Sequence, residues 1–174
     1  MAAGIDAADT TAADRGVLGP GLLIGIGLGG FVDGIVLHQV LQWHHLLTNT
    51  PEDNLGLDAY PATTVDGLEV NTLWDGFFHV FTWLAVTVGL LALWRVVLRR
   101  PGPFSWASLL GAVLAGWGTF NLVEGVVDHH ILQLHHVRMA SDVDDVWVWD
   151  VGFLALGALL LVTGLWLHRR AARG

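Results

Sequence analysis

Two similar stretches decide the fold of this chain: DGIVLHQVLQWHH at residues 33–45 and EGVVDHHILQLHH at residues 124–136. A shift of 91 residues places the first on the second with seven identities in thirteen positions. Gly25 and Gly27 also fall on glycines under this shift, without a gap. The agreement predicts an internal repeat, in which two apolar helices carry the same pattern of histidines.

The composition of the whole chain is typical of a membrane protein. Its 174 residues are 53% hydrophobic and 14% charged, with a mean hydropathy of +0.57, whereas soluble domains are about 25% charged. The basic residues are eight arginines against sixteen acids, so we expect no nucleic-acid partner. Because the chain contains no cysteine, disulfides, thiolate metal sites and cysteine nucleophiles are excluded.

Four apolar stretches are long enough to cross the bilayer core, which takes about 20 helical residues. They are Val17–Leu47, Asn71–Arg99, Phe104–Arg138 and Val146–Arg169. Their many glycines would weaken soluble helices, but small residues let membrane helices approach closely. We therefore predict an all-α fold, an integral membrane four-helix bundle embedded in the lipid bilayer.

The repeat predicts how the chain is divided. Each half is a helical hairpin, and two-span units keep the same orientation, so we expect parallel repeats related by an axis along the membrane normal. The predicted parts are a disordered acidic tail at 1–16, a transmembrane domain at 17–170 with repeats at about 17–99 and 104–170, and a tail at 171–174.

The polar connections complete this division. The stretch 48–70 holds two prolines and five acids and is predicted to be a loop, and the PGP at 101–103 a tight turn. Arginines flank the second connection and the C-terminus, whereas Arg138 is the only arginine in the first and third connections. By the positive-inside rule, we expect a plasma-membrane protein with both termini in the cytoplasm.

Eight of the nine histidines lie between His38 and His136, toward the predicted outer ends of the helices. At 100° per residue, His38, Gln42 and His45 share one face of the first helix, and the residues 91 positions later share the matching face of the third. We expect this histidine-rich zone to face the outside of the cell. The ninth histidine, His168, lies among terminal arginines and is predicted to be an interfacial side chain.

The acids inside the spans point to a metal. A carboxylate near the bilayer centre costs about 2.5–3.5 kcal/mol, so Asp33 and Glu124 need a partner, a proton or a metal. A divalent transition metal would satisfy both these acids and the imidazoles. Since His38 and His45 are separated by about 10 Å along a helix, two ions, or one ion with a porphyrin-like spacing, fit better than one ion held by all the histidines. The candidate metal ligands are His38, His44, His45, Asp75, His79, Asp128, His129, His130, His135 and His136.

The donor types narrow the predicted chemistry. Histidine and carboxylate ligands without sulfur favour non-haem iron or zinc over copper(I), and carboxylates such as Asp75 or Asp128 can orient ligating imidazoles. Asp33 and Glu124 are the candidate catalytic residues, as general bases toward a metal-bound water. We therefore predict a metal-dependent membrane enzyme, an oxidoreductase or a zinc hydrolase, acting on a lipid or small amphiphile.

Three other functions stay open at this point. A copper-handling protein that is not an enzyme is disfavoured by the lack of cysteine and by only two methionines. A bis-histidine haem protein needs only two of the histidines and leaves the acids unexplained. A transporter agrees with the parallel repeats, although the candidate ligands cluster at one end.

The strings GGFVDGIVLHQVLQWHH and NLVEGVVDHHILQLHHVR are similar to the two signature segments of a known family. It is a prokaryotic family of predicted four-helix membrane proteins, domain of unknown function twenty-two forty-three, and the resemblance runs from about Leu18 to Arg169. The resemblance implies four membrane spans and a partner in respiratory-oxidase assembly, but no catalytic residues. The acidic, lysine-free composition suggests a salt-adapted source, and a homo-oligomer remains open.

Overall fold

The computed structural model describes residues 7–48, 60–99, 103–139 and 145–173. The secondary structure of these residues is helical and includes no strand. Four helical stretches are long and apolar enough to cross a membrane. They are Leu18–Val40, Val65–Arg99, Trp106–Ile131 and Val146–Ala171. The prediction of an all-α membrane protein with four candidate spans is confirmed.

Five α-helices and two π-helical segments make up these spans and the residues before them. The helices are α1 (Ala7–Gly16), α2 (Leu18–Val32), α3 (Val65–Arg99), α4 (Trp106–Glu124) and α5 (Val146–Ala171). Helix α2 continues directly into the first π segment (Asp33–Val40), and α4 continues into the second π segment (Gly125–Ile131). A π-helix places about one extra residue in each turn, which redirects the side chains that follow it.

Helices α2 and α4 form the centre of the bundle and pack at close range. A Cβ atom added to Gly25 would overlap the backbone of Val113, and one added to Gly116 would overlap the backbone of Leu22. Helix α3 packs on α2 and α5 packs on α4, and each presents large exposed apolar side chains such as Trp83 on its outer face. A bilayer would cover these outer faces, since lipid solvates apolar side chains.

The N-terminal residues differ from the sequence prediction. The sequence predicts a disordered tail at 1–16, whereas Ala7–Gly16 forms helix α1, with residues 1–6 outside the described residues. Helix α1 is held against the bundle because Ala13 is buried and the Asp14 carboxylate accepts a 2.7 Å hydrogen bond from the backbone N–H of Ser105. An Asp side chain that binds the start of another helix is not visible in hydropathy.

The first and third spans end earlier than their apolar patterns predict. The first helical stretch ends at Val40 rather than Leu47, and the third ends at Ile131 rather than Arg138. Helix α3, in contrast, begins at Val65, six residues before the predicted Asn71. Of the predicted loop at 48–70 and turn at 101–103, residues 49–59 and 101–102 lie outside the described residues.

A left-handed glutamine follows each π segment. Gln42 has a φ of 49° and Gln133 a φ of 51°, and the two are 91 positions apart. After these residues the backbone N–H of Trp43 donates to Leu37 O at 2.9 Å, and the N–H of Leu134 donates to Asp128 O at 2.8 Å. Such a left-handed residue is a common helix C-terminal motif, although glycine is its usual occupant. The two chain reversals direct residues 43–48 and 134–139 back toward the bundle.

Candidate metal centre

Two carboxylates lie where the α-helices change into π segments. Asp33 is the first residue of the first π segment, and Glu124 is the last residue of α4 before the second. Both are buried, with 3% and 4% of their surface exposed. Neither lies beside an arginine in an ion pair among the described residues, and their ion-pair neighbours are histidines. The acids therefore lie in the bundle interior with imidazoles, and not arginines, as their neighbours.

One histidine on each π segment lies between two carboxylates. The Nδ1–H of His38 donates to Asp75 Oδ1 at 2.9 Å, while its Nε2 lies 3.0 Å from Asp33 Oδ2. His129 has the matching position, with Nδ1 3.6 Å from Asp150 Oδ1 and Nε2 3.8 Å from Glu124 Oε1. His38 and His129, which the 91-residue shift relates, are therefore arranged alike, and the distances around His129 are the longer ones.

A second pair of histidines comes from the residues that follow the chain reversals. The Nδ1–H of His44 donates to Val137 O at 2.7 Å, and the Nδ1–H of His135 donates to Leu46 O at 3.0 Å. The two imidazole rings stack with their centroids 4.4 Å apart and their planes within 6° of parallel. Each histidine is therefore held by the backbone of the other half of the chain.

The hydrogen bonds of this second pair determine which ring nitrogen is a free acceptor. A carbonyl oxygen can only accept, so Nδ1 carries the proton in both rings and Nε2 of the neutral ring keeps its lone pair. Burial, and then repulsion from neighbouring histidines, lowers the pKa of His44 well below its usual value of 6.5. Burial, and then the charge of His38, lowers the pKa of His135 to about 4. Both rings are therefore neutral near pH 7, with Nε2 available as a ligand.

Several buried polar atoms of this region have no hydrogen-bond partner among the described residues. A buried acceptor or donor without a partner costs about 1–3 kcal/mol, so native structures contain few of them. Here several lie together: both carboxylate oxygens of Asp33, Oε2 of Glu124, and the Nε2 atoms of His38, His44, His129 and His135. Lone pairs that face one another repel, and a proton or a metal cation between them would remove this repulsion.

The same atoms form three overlapping groups that could hold a metal ion. Within each group, one ligand atom from every residue lies within 4.8 Å of the others. The groups are His38, His44 and His135; Glu124, His129 and His135; and Asp33, His44 and Glu124. We refer to these six residues, Asp33, His38, His44, Glu124, His129 and His135, as the six-residue centre.

His45 and His136, which the sequence pairs with His38 and His129 on shared helix faces, lie outside these groups. Because each helix ends before these residues, the predicted faces do not form. Instead the Nδ1–H of His45 donates to Asp75 Oδ2 at 2.6 Å, and that of His136 donates to Asp150 Oδ2 at 2.7 Å.

Asp75, a predicted metal ligand, has its oxygens occupied by hydrogen bonds. Oδ1 accepts from His38 and from the backbone N–H of Leu46 at 3.0 Å, and Oδ2 accepts from His45 and from Gln39 Nε2 at 3.2 Å. Four donors fill the acceptor capacity of a carboxylate. Asp75 therefore holds the histidines in position and does not belong to the groups that could hold a metal.

The remaining predicted ligands are not members of the centre. The Nδ1–H of His79 donates to the backbone oxygen of Asp75 at 2.7 Å, and that of His130 donates to Gly125 O at 2.7 Å. Both bonds are local, within one helical stretch, and His130 is exposed. Asp128 is half-buried beside an apolar cavity. None of the three belongs to a group that could hold a metal among the described residues.

Asp150 has the position that matches Asp75, although the predicted ligands do not include it. It binds His136 and also accepts a 2.9 Å hydrogen bond from the backbone N–H of Val137, as Asp75 does from Leu46. The sequence contains a signal for this role, because Trp74 and Asp75 recur as Trp149 and Asp150 at the starts of the second and fourth spans.

The fold and this site define a class, helical membrane proteins with buried histidine and carboxylate groups that could hold a metal ion. The chain belongs to the family of predicted membrane proteins DUF2243, whose model matches residues 20–171. No curated protein and no solved structure matches the chain.

Proposed function

We propose that this protein is a membrane metalloenzyme whose six-residue centre binds two divalent transition-metal ions. One observation carries the proposal: at least one buried ligand atom of each of its six residues has no hydrogen-bond partner among the described residues. The three overlapping groups share His44, Glu124 and His135. Since a neutral imidazole has one free lone pair, each histidine would ligate one ion only, and six residues are enough to supply three ligands to each of two ions.

The residues around the centre support the same interpretation. Ligating histidines commonly donate their second ring N–H to a carboxylate or a backbone carbonyl, which fixes the ring orientation. Here Asp75 does this for His38, and Leu46 O does it for His135. These partners would hold the Nε2 atoms toward a metal, and the neutral state of His44 and His135 leaves them ready to bind one without losing a proton.

The types of ligand atom limit which metal and which reaction are expected. Imidazole nitrogen and carboxylate oxygen, with no sulfur, suit non-haem iron or zinc. Bound iron would supply redox chemistry, and bound zinc would supply a Lewis acid and an activated water. Asp33 and Glu124 are the groups placed to take up a proton beside such an ion. Which of the two reactions occurs depends on the metal.

The alternatives have less support. A bis-histidine haem, with His38 or His45 paired with His129 or His136, would leave the buried acids Asp33 and Glu124 without a role. A copper carrier normally offers sulfur ligands, which the six residues lack. We also propose that the centre faces the outside of the cell, because arginines such as Arg169 and Arg173 cluster at the opposite end of α5.

Elemental analysis and an absorption spectrum of protein purified without added metal test this function. We expect about two iron or zinc ions per chain and no Soret band. Iron would identify the oxidoreductase, and zinc the hydrolase. A Soret band, or a metal content below about 0.2 per chain after purification without chelators, would contradict the proposal.

A further inference from the structure

An apolar cavity of about 490 Å³ lies beside Asp33. It is bounded by α2 and the first π segment, by α4 and by α5, with Leu37, Trp117, Phe153 and Leu156 among its lining residues. Cavities of about 300–1,000 Å³ are the usual size of small-molecule sites. Among the described residues that line it, the carboxylate of Asp33 is the only charged group, and it belongs to the six-residue centre.

A second, smaller cavity of about 350 Å³ lies beside Glu124, at positions related to the first. Comparison of the two cavities shows where the halves of the chain differ. The position of Gly29 in the first is taken by Phe120 in the second, which fills space, and the position of Leu37 is taken by Asp128, which adds an acid. The first cavity is therefore the roomier of the two and the less acidic.

A cation at one end of the first cavity distinguishes it from the second. The guanidinium carbon of Arg138 lies 5.3 Å from the ring centroid of Trp43 and 5.1 Å from that of Trp149, and both tryptophans line the cavity. The residue 91 positions earlier is Leu47, which is buried and uncharged. Arg138 thus places a positive charge at the histidine-rich end of an apolar cavity.

We propose that this cavity binds an anionic lipid of the surrounding bilayer, with the head group at Arg138 and an acyl chain extending past Leu37 toward Asp33. This inference rests on the proposed function and names its substrate class. Charge selects the occupant. A guanidinium binds the phosphate of a lipid through charge-assisted hydrogen bonds, and the trimethylammonium group of a zwitterionic lipid such as phosphatidylcholine would place a second positive charge beside it. From Trp149 to Leu156 the cavity follows α5 for about 10 Å, so a chain, and not the head group, lies beside the acid of the centre.

Native mass spectrometry of the full chain in detergent tests the proposal, with equal amounts of phosphatidylglycerol and phosphatidylcholine as probes. We expect phosphatidylglycerol to be retained about tenfold over phosphatidylcholine, the factor that corresponds to about 1.4 kcal/mol from a charge-assisted hydrogen bond. The Arg138→Gln variant should retain the two lipids about equally. Equal retention by the unaltered protein, or an unchanged preference in the variant, would overturn the proposal.

A cavity-filling substitution tests the place of the acyl chain. Gly152 lines the cavity, and a Cβ atom added there meets no atom within 4 Å, so Gly152→Leu extends a side chain from an open position of the cavity wall. Gly76→Leu is the matched control, because Gly76 is equally open but lines none of the cavities beside the centre. We expect Gly152→Leu to lower phosphatidylglycerol retention about tenfold and Gly76→Leu to leave it unchanged.

Metal content measured on the same samples separates the two proposals. If metal is bound in full but Gly152→Leu retains lipid like the unaltered protein, the lipid site is wrong and the metal centre stands. If lipid is retained selectively by a protein without metal, the cavity stands as a lipid site and the proposed metalloenzyme is wrong.

Discussion

Both ends of the helical bundle bury histidine side chains, but the two ends differ in the hydrogen bonds that these side chains make. At the arginine-rich end, His168 is 5% exposed, and its Nδ1 lies 3.0 Å from the hydroxyl of Ser108. That hydroxyl lies 3.2 Å from the backbone oxygen of Asp14, whose side chain binds Ser105. At the other end, the Nε2 atoms of four buried histidines and both oxygens of Asp33 have no hydrogen-bond partner among the described residues.

His168 itself differs from the sequence prediction of an interfacial side chain. Its neighbours in sequence are arginines, which suggests exposure, but α4 and α5 approach so closely at Gly111 that the ring is enclosed. Burial of a histidine therefore does not by itself identify a metal site. The distinguishing property is whether the second ring nitrogen and its neighbouring carboxylates are left without partners.

The largest predicted difference between the two ends is the loss of metal when histidines of the histidine-rich end are replaced. We predict that His38→Ala combined with His129→Ala lowers metal content from about two ions per chain to below about 0.2, because one ligand is lost from each π segment. The measurement is elemental analysis, with circular dichroism to check helix content. The control pair His79→Ala and His130→Ala should keep the full metal content, and equal metal loss in both pairs would remove the distinction.

The second effect concerns the buried acids. We predict that Asp33→Asn and Glu124→Gln each weaken metal binding by more than about a hundredfold while the helices remain intact, since a neutral amide is a poorer ligand of nearly the same shape. Competition with a chelator of known affinity measures the change. If both variants bind metal and act like the unaltered protein, Asp33 and Glu124 are structural acids.

The third effect is smaller and acts through orientation. We predict that Asp75→Asn weakens metal binding about 10–100-fold, because an amide keeps one acceptor oxygen, so His38 and His45 can no longer both donate to this side chain. The same chelator competition measures it, with Asp66→Asn as control, since Asp66 is exposed in the first turn of the same helix. An effect of Asp66→Asn equal to that of Asp75→Asn would mean that charge alone, without orientation, explains the result.

The smallest effect on metal is expected at the arginine-rich end. We predict that His168→Ala lowers the free energy of unfolding by about 1–3 kcal/mol, because a buried hydrogen-bonded ring is lost, and that it leaves metal content unchanged. Thermal unfolding in detergent and elemental analysis check the two parts. Loss of metal in this variant would show that the two ends are coupled and would remove the contrast between them.

Much of this architecture is predictable from sequence because it rests on local composition. Span length follows from hydropathy, and the histidine positions follow from the 91-residue shift. The ends of the first and third helices could not be predicted, because left-handed Gln42 and Gln133 replace the glycine that normally marks such an end. Helix α1 could not be predicted either, because its docking depends on a hydrogen bond from Ser105, far along the chain.

In the candidate site, the identity of the residues is predictable from sequence, but their pairing is not. All six residues of the centre are among the residues that the sequence predicts as ligands or bases. Their pairing differs, since a continuous helix aligns His38 with His45, whereas the π segment and the chain reversal bring His44 to His38, with the ring centroids 4.5 Å apart. The carbonyl oxygens of Leu46 and Val137 could not be predicted, because no side-chain pattern encodes a backbone acceptor.

X-ray absorption spectroscopy of the purified, metal-containing protein tests most directly whether the six-residue centre holds two ions. We predict a metal coordinated by nitrogen and oxygen alone, outer-shell scattering from several imidazole rings, and a second metal at about 3.5–4 Å. A spectrum without imidazole scattering, with sulfur bound to the metal, or without a second metal would contradict the claim that the six-residue centre holds two ions.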